Sequence, residues 1–338
     1  MADFASSLLA MELTLAAPIE RMHQLAGRRI SVRFSDPVLA EVYSKRLNAL
    51  QGVAGDPDHR LIVVHAADIG WTSSPAWIDR QCSPRLFQDA LACQRLKIAY
   101  PNFPHLWQIY SPATRTGVQL TTGRSNLPPW DFGAPLRVHL HWLLATHGLR
   151  LTHAATLGRQ GRGVLIVGNG GAGKSGTCLD GLAAGMVTCG DDYVALDLHG
   201  NPKAHLMFRI LKQDLAGLSR IAAFNGKFDG TGLNWQGKID LDPETFFPGC
   251  LTDCLAIEAV LLASIAGGAT ANIVPVSRGE IMRAIMRSNL YQFPGEHDDG
   301  LQFFSKLLSQ LPCFRIKLSS DPAANGDAID RLLEKVGS

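Results

Sequence analysis

The chain has 338 residues, of which 46% are hydrophobic and 18% are charged. This length is sufficient for two ordinary domains, and the hydrophobic content excludes a largely disordered chain. The formal charge of +2 at pH 7 arises from 32 basic and 30 acidic residues, so no strong field favours nucleic acid or an acidic membrane as partner.

Seven scattered cysteines without a Cys-x-x-Cys pair predict reduced thiols rather than a disulfide framework or a zinc site. The N-terminal residues 1–12 include Asp3 and Glu12, whereas a secretion signal would place basic residues before its apolar run. The most apolar stretch, 255–276, is interrupted by Glu258 and by glycines, which predicts strand, turn and strand rather than a membrane span. We therefore expect a soluble, cytoplasmic protein.

The sequence of residues 1–125 predicts a small α+β domain. Strand-like runs at 29–34 and 61–65 lie on either side of a segment, 37–50, with apolar residues at helical spacing. No residues in this domain have catalytic spacing. The polar, turn-rich stretch 121–129 indicates a domain boundary, and residues 130–338 are expected to form a second domain.

The second domain begins with a predicted helix at 135–147, and its pattern changes at a cluster of glycines. The continuous apolar run 163–167 predicts a strand buried on both faces of a sheet. A helix is predicted at 174–184 and a short strand at 186–189, which gives a βαβ-like order of strand, glycine loop, helix and strand. Further along, we expect a strand at 314–318 and a final helix at 328–336.

The glycine loop matches the phosphate-binding pattern G-x-x-x-x-G-K-[ST] at every fixed position. Its backbone N–H groups can converge on phosphate oxygens, and the following helix adds its positive N-terminal end. The alternative is a glycine turn without a ligand, but the strand before the loop and the helix after it favour a nucleotide, ATP. We expect Lys174 to bridge the β- and γ-phosphates and the Ser175 hydroxyl to bind Mg²⁺. The expected nucleotide-binding residues are Gly168, Asn169, Gly170, Gly171, Ala172, Gly173, Lys174, Ser175 and Gly176.

Two adjacent acidic residues, Asp191 and Asp192, follow the next predicted strand, and Asp192 comes seventeen residues after Ser175. Such a pair is often solvated and idle. Beside a phosphate loop, however, one carboxylate can hold Mg²⁺ while the other accepts a proton from an attacking hydroxyl. His153 lies 21 residues before Lys174 on a predicted strand, and its spacing alone favours a buried core histidine.

The order and separations of His153, the loop 168–175 and the pair Asp191-Asp192 resemble the catalytic domain of the HPr kinase/phosphorylase family. The resemblance covers about residues 135–290. It implies a P-loop kinase domain of α/β class, with a mixed sheet akin to that of phosphoenolpyruvate carboxykinase, after the small α+β domain. It also implies a homo-oligomer.

Carried over residue by residue, the resemblance implies that Asp192 is the general base and that Lys174 belongs to the nucleotide clamp. Ser175 and Asp191 become magnesium ligands, and His153 becomes an active-site residue near the transferred phosphoryl group. Lys238 either replaces a catalytic arginine of the family or is a solvated loop lysine, and the sequence leaves both open.

The sequence departs from the family at two places. Gly176 follows Ser175 where bifunctional members have a glutamate, and the segment 211–217 does not match their Glu-Ile-Arg-Gly stretch. These departures argue against the phosphorylase direction and leave one magnesium ligand without a counterpart.

The sequence therefore predicts an ATP- and Mg²⁺-dependent serine kinase that phosphorylates a Ser or Thr hydroxyl. The expected acceptor is a protein or a ribosomally made peptide precursor, such as a lasso-type peptide. Two alternatives stay open, a kinase for a small-metabolite hydroxyl and a non-catalytic, ATP-dependent switch. The sequence does not identify the acceptor.

Overall fold

A computed structural model describes residues 18–47, 55–70, 96–99, 106–121, 128–290, 292–293 and 297–337. They form a mixed α/β fold in two compact units, residues 1–147 and 148–338. Among the helices of these segments, none has the length and apolar character needed to cross a membrane. The N-terminal residues examined for targeting, Cys82, Cys93 and positions 122–127 of the expected boundary lie outside the described residues.

The first unit contains a six-stranded mixed sheet in the order β1-β2-β3-β6-β5-β4. β3 runs parallel to both of its neighbours, β2 and β6, and the other pairs are antiparallel. The strands are β1 (Ile19–Leu25), β2 (Arg28–Phe34), β3 (His59–His65), β4 (Lys97–Ala99), β5 (Leu106–Ser111) and β6 (Thr116–Thr121), and the helices are α1 (Pro37–Arg46) and α2 (Arg137–Ala145).

The predicted strands at 29–34 and 61–65 are confirmed, and the predicted helix at 37–50 is present but ends at Arg46. Asp36 starts this helix because its carboxylate accepts the backbone N–H groups of Val38 and Leu39. Helix α2 belongs to the first compact unit, since the division between the units falls after His147.

The second unit is built on an eight-stranded sheet. Six strands follow the order β15-β16-β14-β11-β10-β7, β9 pairs with β14, and β8 pairs with β9. Two further strands, β12 and β13, form a separate ribbon. The strands are β7 (Arg150–Thr152), β8 (Ala155–Arg159), β9 (Arg162–Val167), β10 (Val194–Asp197), β11 (Lys203–Leu206), β12 (Leu211–Gln213), β13 (Ile239–Leu241), β14 (Cys254–Gly268), β15 (Asn272–Pro275) and β16 (Cys313–Ser319). The helices are α3 (Lys174–Ala183), α4 (Leu215–Leu218), α5 (Arg278–Asn289), α6 (His297–Gln310) and α7 (Pro322–Val336).

The phosphate-loop pattern lies between β9 and α3, at the carboxyl end of β9. This strand is antiparallel to β8 and parallel to β14, and its residues 164–167 are almost fully buried. The apolar run therefore forms the doubly covered strand that was predicted. Helix α3 packs closely on β8, because a Cβ at Gly181 would lie 2.4 Å from Leu157 Cδ1.

One local prediction differs from the structure. The predicted strand at 186–189 forms only isolated bridges, Gly158 with Val187 and Thr188 with Leu251. A side-chain hydroxyl replaces a ladder bond there, since the Cys189 N–H donates to Thr156 Oγ1 at 2.8 Å. The strand, turn and strand predicted at 255–276 are present as β14 and β15, but both pair with β16.

Candidate active site

The loop from Gly168 to Ser175 bends through backbone conformations that only glycine adopts without strain. Gly173 has a φ of 98° and is the N-cap of α3, so the first N–H groups of this helix face the loop. A Cβ at Gly173 would also lie 2.5 Å from Leu318 Cδ1. Conformation and space therefore both require glycine here. A dense set of backbone donors at a helix N-terminus is an anion-binding arrangement.

Lys174 is buried, with 7% of its surface exposed. Its Nζ donates to the carbonyl oxygens of Gly168 at 2.9 Å and Asn169 at 3.3 Å. Burial lowers the pKa of Lys174, although the carboxylates of Asp191 and Asp192 oppose this shift. The ammonium group thus lies against the loop and near both aspartates.

Asp191 is 2% exposed, and one of its carboxylate oxygens has no hydrogen-bond partner. Its Oδ2 accepts the backbone N–H of Lys212 at 3.2 Å, whereas Oδ1 has no partner within ordinary hydrogen-bond geometry. Burial and then the adjacent charge of Asp192 raise the pKa of Asp191 to about 7. The neighbouring Ser175 hydroxyl has the opposite effect and lowers this pKa. A buried, unpartnered carboxylate oxygen beside a hydroxyl is suited to a hard cation.

These two residues fit the expected Mg²⁺. Among the described segments no group of three or more His, Cys, Asp and Glu side chains could hold a metal ion. A Mg²⁺ held by one carboxylate, one hydroxyl and substrate phosphates does not need such a group. Ser175 and Asp191 are therefore the residues that would hold it.

Asp192 points both carboxylate oxygens at positively charged or hydrogen-bonding groups. Its Oδ1 lies 3.2 Å from His153 Nε2, and its Oδ2 accepts from Lys212 Nζ at 2.8 Å. Burial alone would raise the pKa of Asp192, but the charge of Lys212 and the hydrogen bond from His153 lower it well below its usual range. Asp192 is therefore ionised at neutral pH. Each carboxylate oxygen has two lone pairs, so it can still accept a hydrogen bond from another group.

His153 lies between β7 and β8 and is held from the opposite side by the end of α5. Its backbone N–H donates to Asn289 Oδ1 at 2.7 Å, and its Nδ1 lies 3.2 Å from the Ser288 carbonyl oxygen and 2.9 Å from Gln292 Nε2. The ring also stacks at 5.3 Å on Tyr193. Both ring nitrogens thus contact groups of the protein, and Nε2 faces Asp192.

Lys238 lies in the loop before β13 and is half-buried. Its backbone N–H donates to Asn234 Oδ1 at 3.1 Å, and its charge is one of the factors that lower the pKa of Lys174. The structure therefore brings Lys238 near the loop lysine. Whether it has the role of the family's arginine stays a prediction.

Gly176, directly after the loop serine, faces two polar side chains at close range. A Cβ there would meet Gln213 Nε2 at 3.3 Å and Arg220 Nη1 at 3.6 Å. Arg220 is held in turn by Asp180, whose two oxygens lie 2.9 and 2.8 Å from Arg220 Nη2. This side of the loop thus holds the Gln213 amide and an arginine that is paired with Asp180.

Sequence analysis missed several residues of this arrangement, above all Lys212, which contacts both aspartates. It also missed Tyr193, Asn289 and Gln292, which support His153. No spacing pattern marks them, because Asn289 and Gln292 lie more than 130 residues from His153 along the chain.

A separate, small cavity of about 10 Å³ lies beside Asn289, one of the residues that hold His153. It is mostly apolar, and no residue of the phosphate loop contributes to it. Its lining residues are Arg150, Leu151, Met286, Asn289, Leu290, Phe293, Gly300 and Phe304. We assign it no part in nucleotide binding.

No protein-family model and no curated protein matches the chain. Among solved structures, the Hpr(Ser) kinase/phosphatase from Coxiella burnetii is similar, with 12% identity and a TM-score of 0.30. The match covers 56% of this chain and 99% of the other. A likeness of this size does not identify a family, so the resemblance noted in the sequence stays a prediction.

Proposed function

We propose that this protein is an ATP- and Mg²⁺-dependent kinase that transfers the γ-phosphoryl group to a Ser or Thr hydroxyl. The acceptor is a protein or a ribosomally made peptide precursor, such as a lasso-type peptide. The observation that carries this proposal is the Asp192 carboxylate, held by His153 at 3.2 Å and Lys212 at 2.8 Å, near the lysine of a complete phosphate-loop pattern. A second carboxylate, Asp191, has an oxygen free for a cation beside it.

In this proposal the backbone N–H groups of residues 169–175 and the ammonium group of Lys174 bind the β- and γ-phosphates. When bound, Mg²⁺ neutralises phosphate charge. Asp192 accepts the proton of the acceptor hydroxyl as the oxygen–phosphorus bond forms. His153 keeps Asp192 oriented through the Nε2 contact at 3.2 Å.

The exposure of Asp192 is consistent with a macromolecular acceptor. About a quarter of its side chain, 25%, is accessible to solvent, so a hydroxyl on a flexible segment can approach it from outside. A closed pocket around Asp192 would instead favour a small metabolite, the second class of acceptor left open by the sequence.

The test is incubation of the full chain with labelled ATP, Mg²⁺ and candidate peptides encoded by neighbouring genes, followed by mass spectrometry to locate the phosphate. We expect transfer to a Ser or Thr by the unaltered protein and none by Lys174→Ala. Asp192→Asn should lower kcat by roughly 10²–10⁴-fold, the usual contribution of general acid–base catalysis, and still bind nucleotide. Phosphotransfer that survives Asp192→Asn would refute the role of this residue, and transfer only to small hydroxyl compounds would favour the metabolite alternative.

A further inference from the structure

We propose that Lys212 is a catalytic residue whose ammonium group contacts the transferred phosphoryl group, in the place that a second divalent cation would otherwise take. This inference rests on the proposed kinase function. It concerns how the site balances charge with the groups that this chain supplies.

The first argument is the distribution of carboxylate oxygens. Both oxygens of Asp192 are engaged, Oδ1 by His153 and Oδ2 by Lys212. Asp191 Oδ2 accepts the Lys212 backbone N–H, which leaves Asp191 Oδ1 as the unpartnered oxygen of the pair. The aspartate pair therefore offers one oxygen, Asp191 Oδ1, to a metal ion. The positive charge next to Asp192 is supplied by the Lys212 ammonium group.

The second argument is charge. Phosphoryl transfer needs positive groups on both sides of the moving phosphoryl, and many kinases use two metal ions for this purpose. Here Lys174 and Lys212 both interact with Asp191 and Asp192. The Lys212 side chain is 11% exposed and its Nζ donates to Asp192 Oδ2 at 2.8 Å, so its charge has a counter-charge within the site.

The third argument is placement. Lys212 lies in the middle of β12, opposite Asp240 of β13, and is 9% exposed. The Asn234 side chain donates to Asp240 at 2.7 Å and secures this partner. Lys212 is thus fixed by a strand pair, and its Nζ is one hydrogen bond, 2.8 Å, from the carboxylate that receives the acceptor's proton. Fixed charges of this kind need no reorganisation during the reaction.

Lys212 gives up no proton in the step that it assists, and every bond that breaks or forms belongs to another group. The acceptor O–H bond breaks, its proton goes to Asp192, a new O–P bond forms, and the bond between the γ-phosphorus and the bridging oxygen breaks to leave ADP. Lys212 keeps its own protons throughout and stabilises charge on the phosphoryl oxygens. A purely structural lysine would only neutralise Asp192 within the fold.

Three variants separate these roles: Lys212→Met, Lys212→Arg and, as matched control, Lys227→Met, since Lys227 is an exposed lysine of the same unit. The first readout is independent of activity and counts Mn²⁺ ions per bound β,γ-imido ATP by electron paramagnetic resonance. We expect one ion per nucleotide in the unaltered protein and in Lys212→Met. In steady-state kinetics, Lys212→Met should lower kcat about 100-fold, as loss of a transition-state contact does, with less than about a threefold change in KM for ATP.

Lys212→Arg should recover at least about tenfold of the lost kcat, and Lys227→Met should match the unaltered protein. Two Mn²⁺ ions per nucleotide in the unaltered protein would overturn the inference, as would normal kcat in Lys212→Met. If Lys212→Met fails to fold, Lys212→Met/Asp192→Asn removes both charges, and it should be slower than Asp192→Asn alone because the contact with the phosphoryl group is lost. Equal rates for these two variants would show that Lys212 only neutralises Asp192 and would overturn the inference. If the unaltered protein phosphorylates no acceptor, the proposed function fails, and the Mn²⁺ count still decides whether one cation is bound.

Discussion

The Nε2 atom of His153 lies 3.2 Å from Oδ1 of Asp192, and the Nδ1 of the same ring faces the end of helix α5. One imidazole thus joins an acidic residue beside β10 to a helix end contributed by residues more than 130 positions later. The contact fixes the direction of the Asp192 carboxylate. In the proposed reaction His153 is therefore a positioning residue, because both of its ring nitrogens contact groups of the protein.

We expect His153→Ala to lower kcat by about tenfold or more while nucleotide affinity changes little, because the carboxylate loses its orientation but not its charge. His153→Gln should recover part of the loss, since its amide can donate to Asp192. The measurement is steady-state phosphotransfer together with binding of a fluorescent ATP analogue. His199→Ala, which removes an exposed histidine of the same unit, serves as control; equal activity of His153→Ala and this control would contradict the assignment.

Two glycines of the phosphate loop should respond differently to the same added methyl group. Gly173→Ala forces a φ of 98° on an L residue and brings its Cβ to 2.5 Å from Leu318 Cδ1, which we expect to cost about 1–3 kcal/mol and to weaken ATP binding at least tenfold. Gly170 lacks a positive φ, and no atom lies within 4 Å of its Cβ position. Gly170→Ala should therefore bind nearly as well as the unaltered protein in a titration with the fluorescent analogue. Similar affinities for the two variants would refute this account of the loop.

Asp191 should make the stability of the metal-free protein depend on pH. Its pKa of about 7 in the folded chain exceeds that of an unfolded aspartate, so from about pH 4 to pH 7 the folded chain holds a proton that the unfolded chain has released. The contribution of Asp191 to stability therefore falls as the pH rises across this window. Asp191→Asn removes the effect. In urea unfolding with a chelator present, its advantage over the unaltered protein should grow by on the order of 2–3 kcal/mol between pH 5 and pH 8; an advantage that does not change with pH would contradict the assignment.

Removing the positively charged partner of Asp180 should lower the free energy of unfolding. It is 2% exposed and receives two contacts from Arg220 and one from Asn325 Nδ2 at 2.7 Å. Arg220→Met leaves this carboxylate without its counter-charge, and we expect a loss of about 2–4 kcal/mol in the free energy of unfolding. The double variant Arg220→Met/Asp180→Asn should regain part of it, because the remaining amide is neutral and can still accept from Asn325. Denaturant unfolding of both variants makes the comparison, and a double variant less stable than the single one would contradict the explanation.

The strand, loop and helix around Gly168–Ser175 were predictable because their signals are local. A continuous apolar run, a set of glycines and an amphipathic segment follow one another within about twenty residues. The segment 186–189 was predicted as a strand on similar grounds, but it forms only isolated backbone bridges, and the Cys189 N–H donates to a threonine hydroxyl instead. Side-chain competition of this kind leaves no periodic pattern.

The partners of the aspartates were not predictable. Lys212 reaches Asp192 because two three-residue strands, β12 and β13, pair across 25 intervening residues. Strands this short show no usable alternation of polar and apolar residues. Asn289 and Gln292 reach His153 only after the whole sheet and helix α5 are in place. Sequence spacing could therefore bring together the loop and the two aspartates, but not the groups that set their charge and direction.

The pairing of strand β14 with β9 determines when the phosphate loop gains a stable scaffold during synthesis. Its residues 256–262 pair with β9, the strand that leads into the phosphate loop, across a gap of about a hundred residues. While a ribosome is still making that gap, β9 has only its hairpin neighbour β8, and an isolated hairpin is marginally stable in water. The loop thus acquires its lasting scaffold only after β14 has left the exit tunnel. A nascent chain halted before that point should be readily cleaved by proteases at the glycines and should not retain ATP.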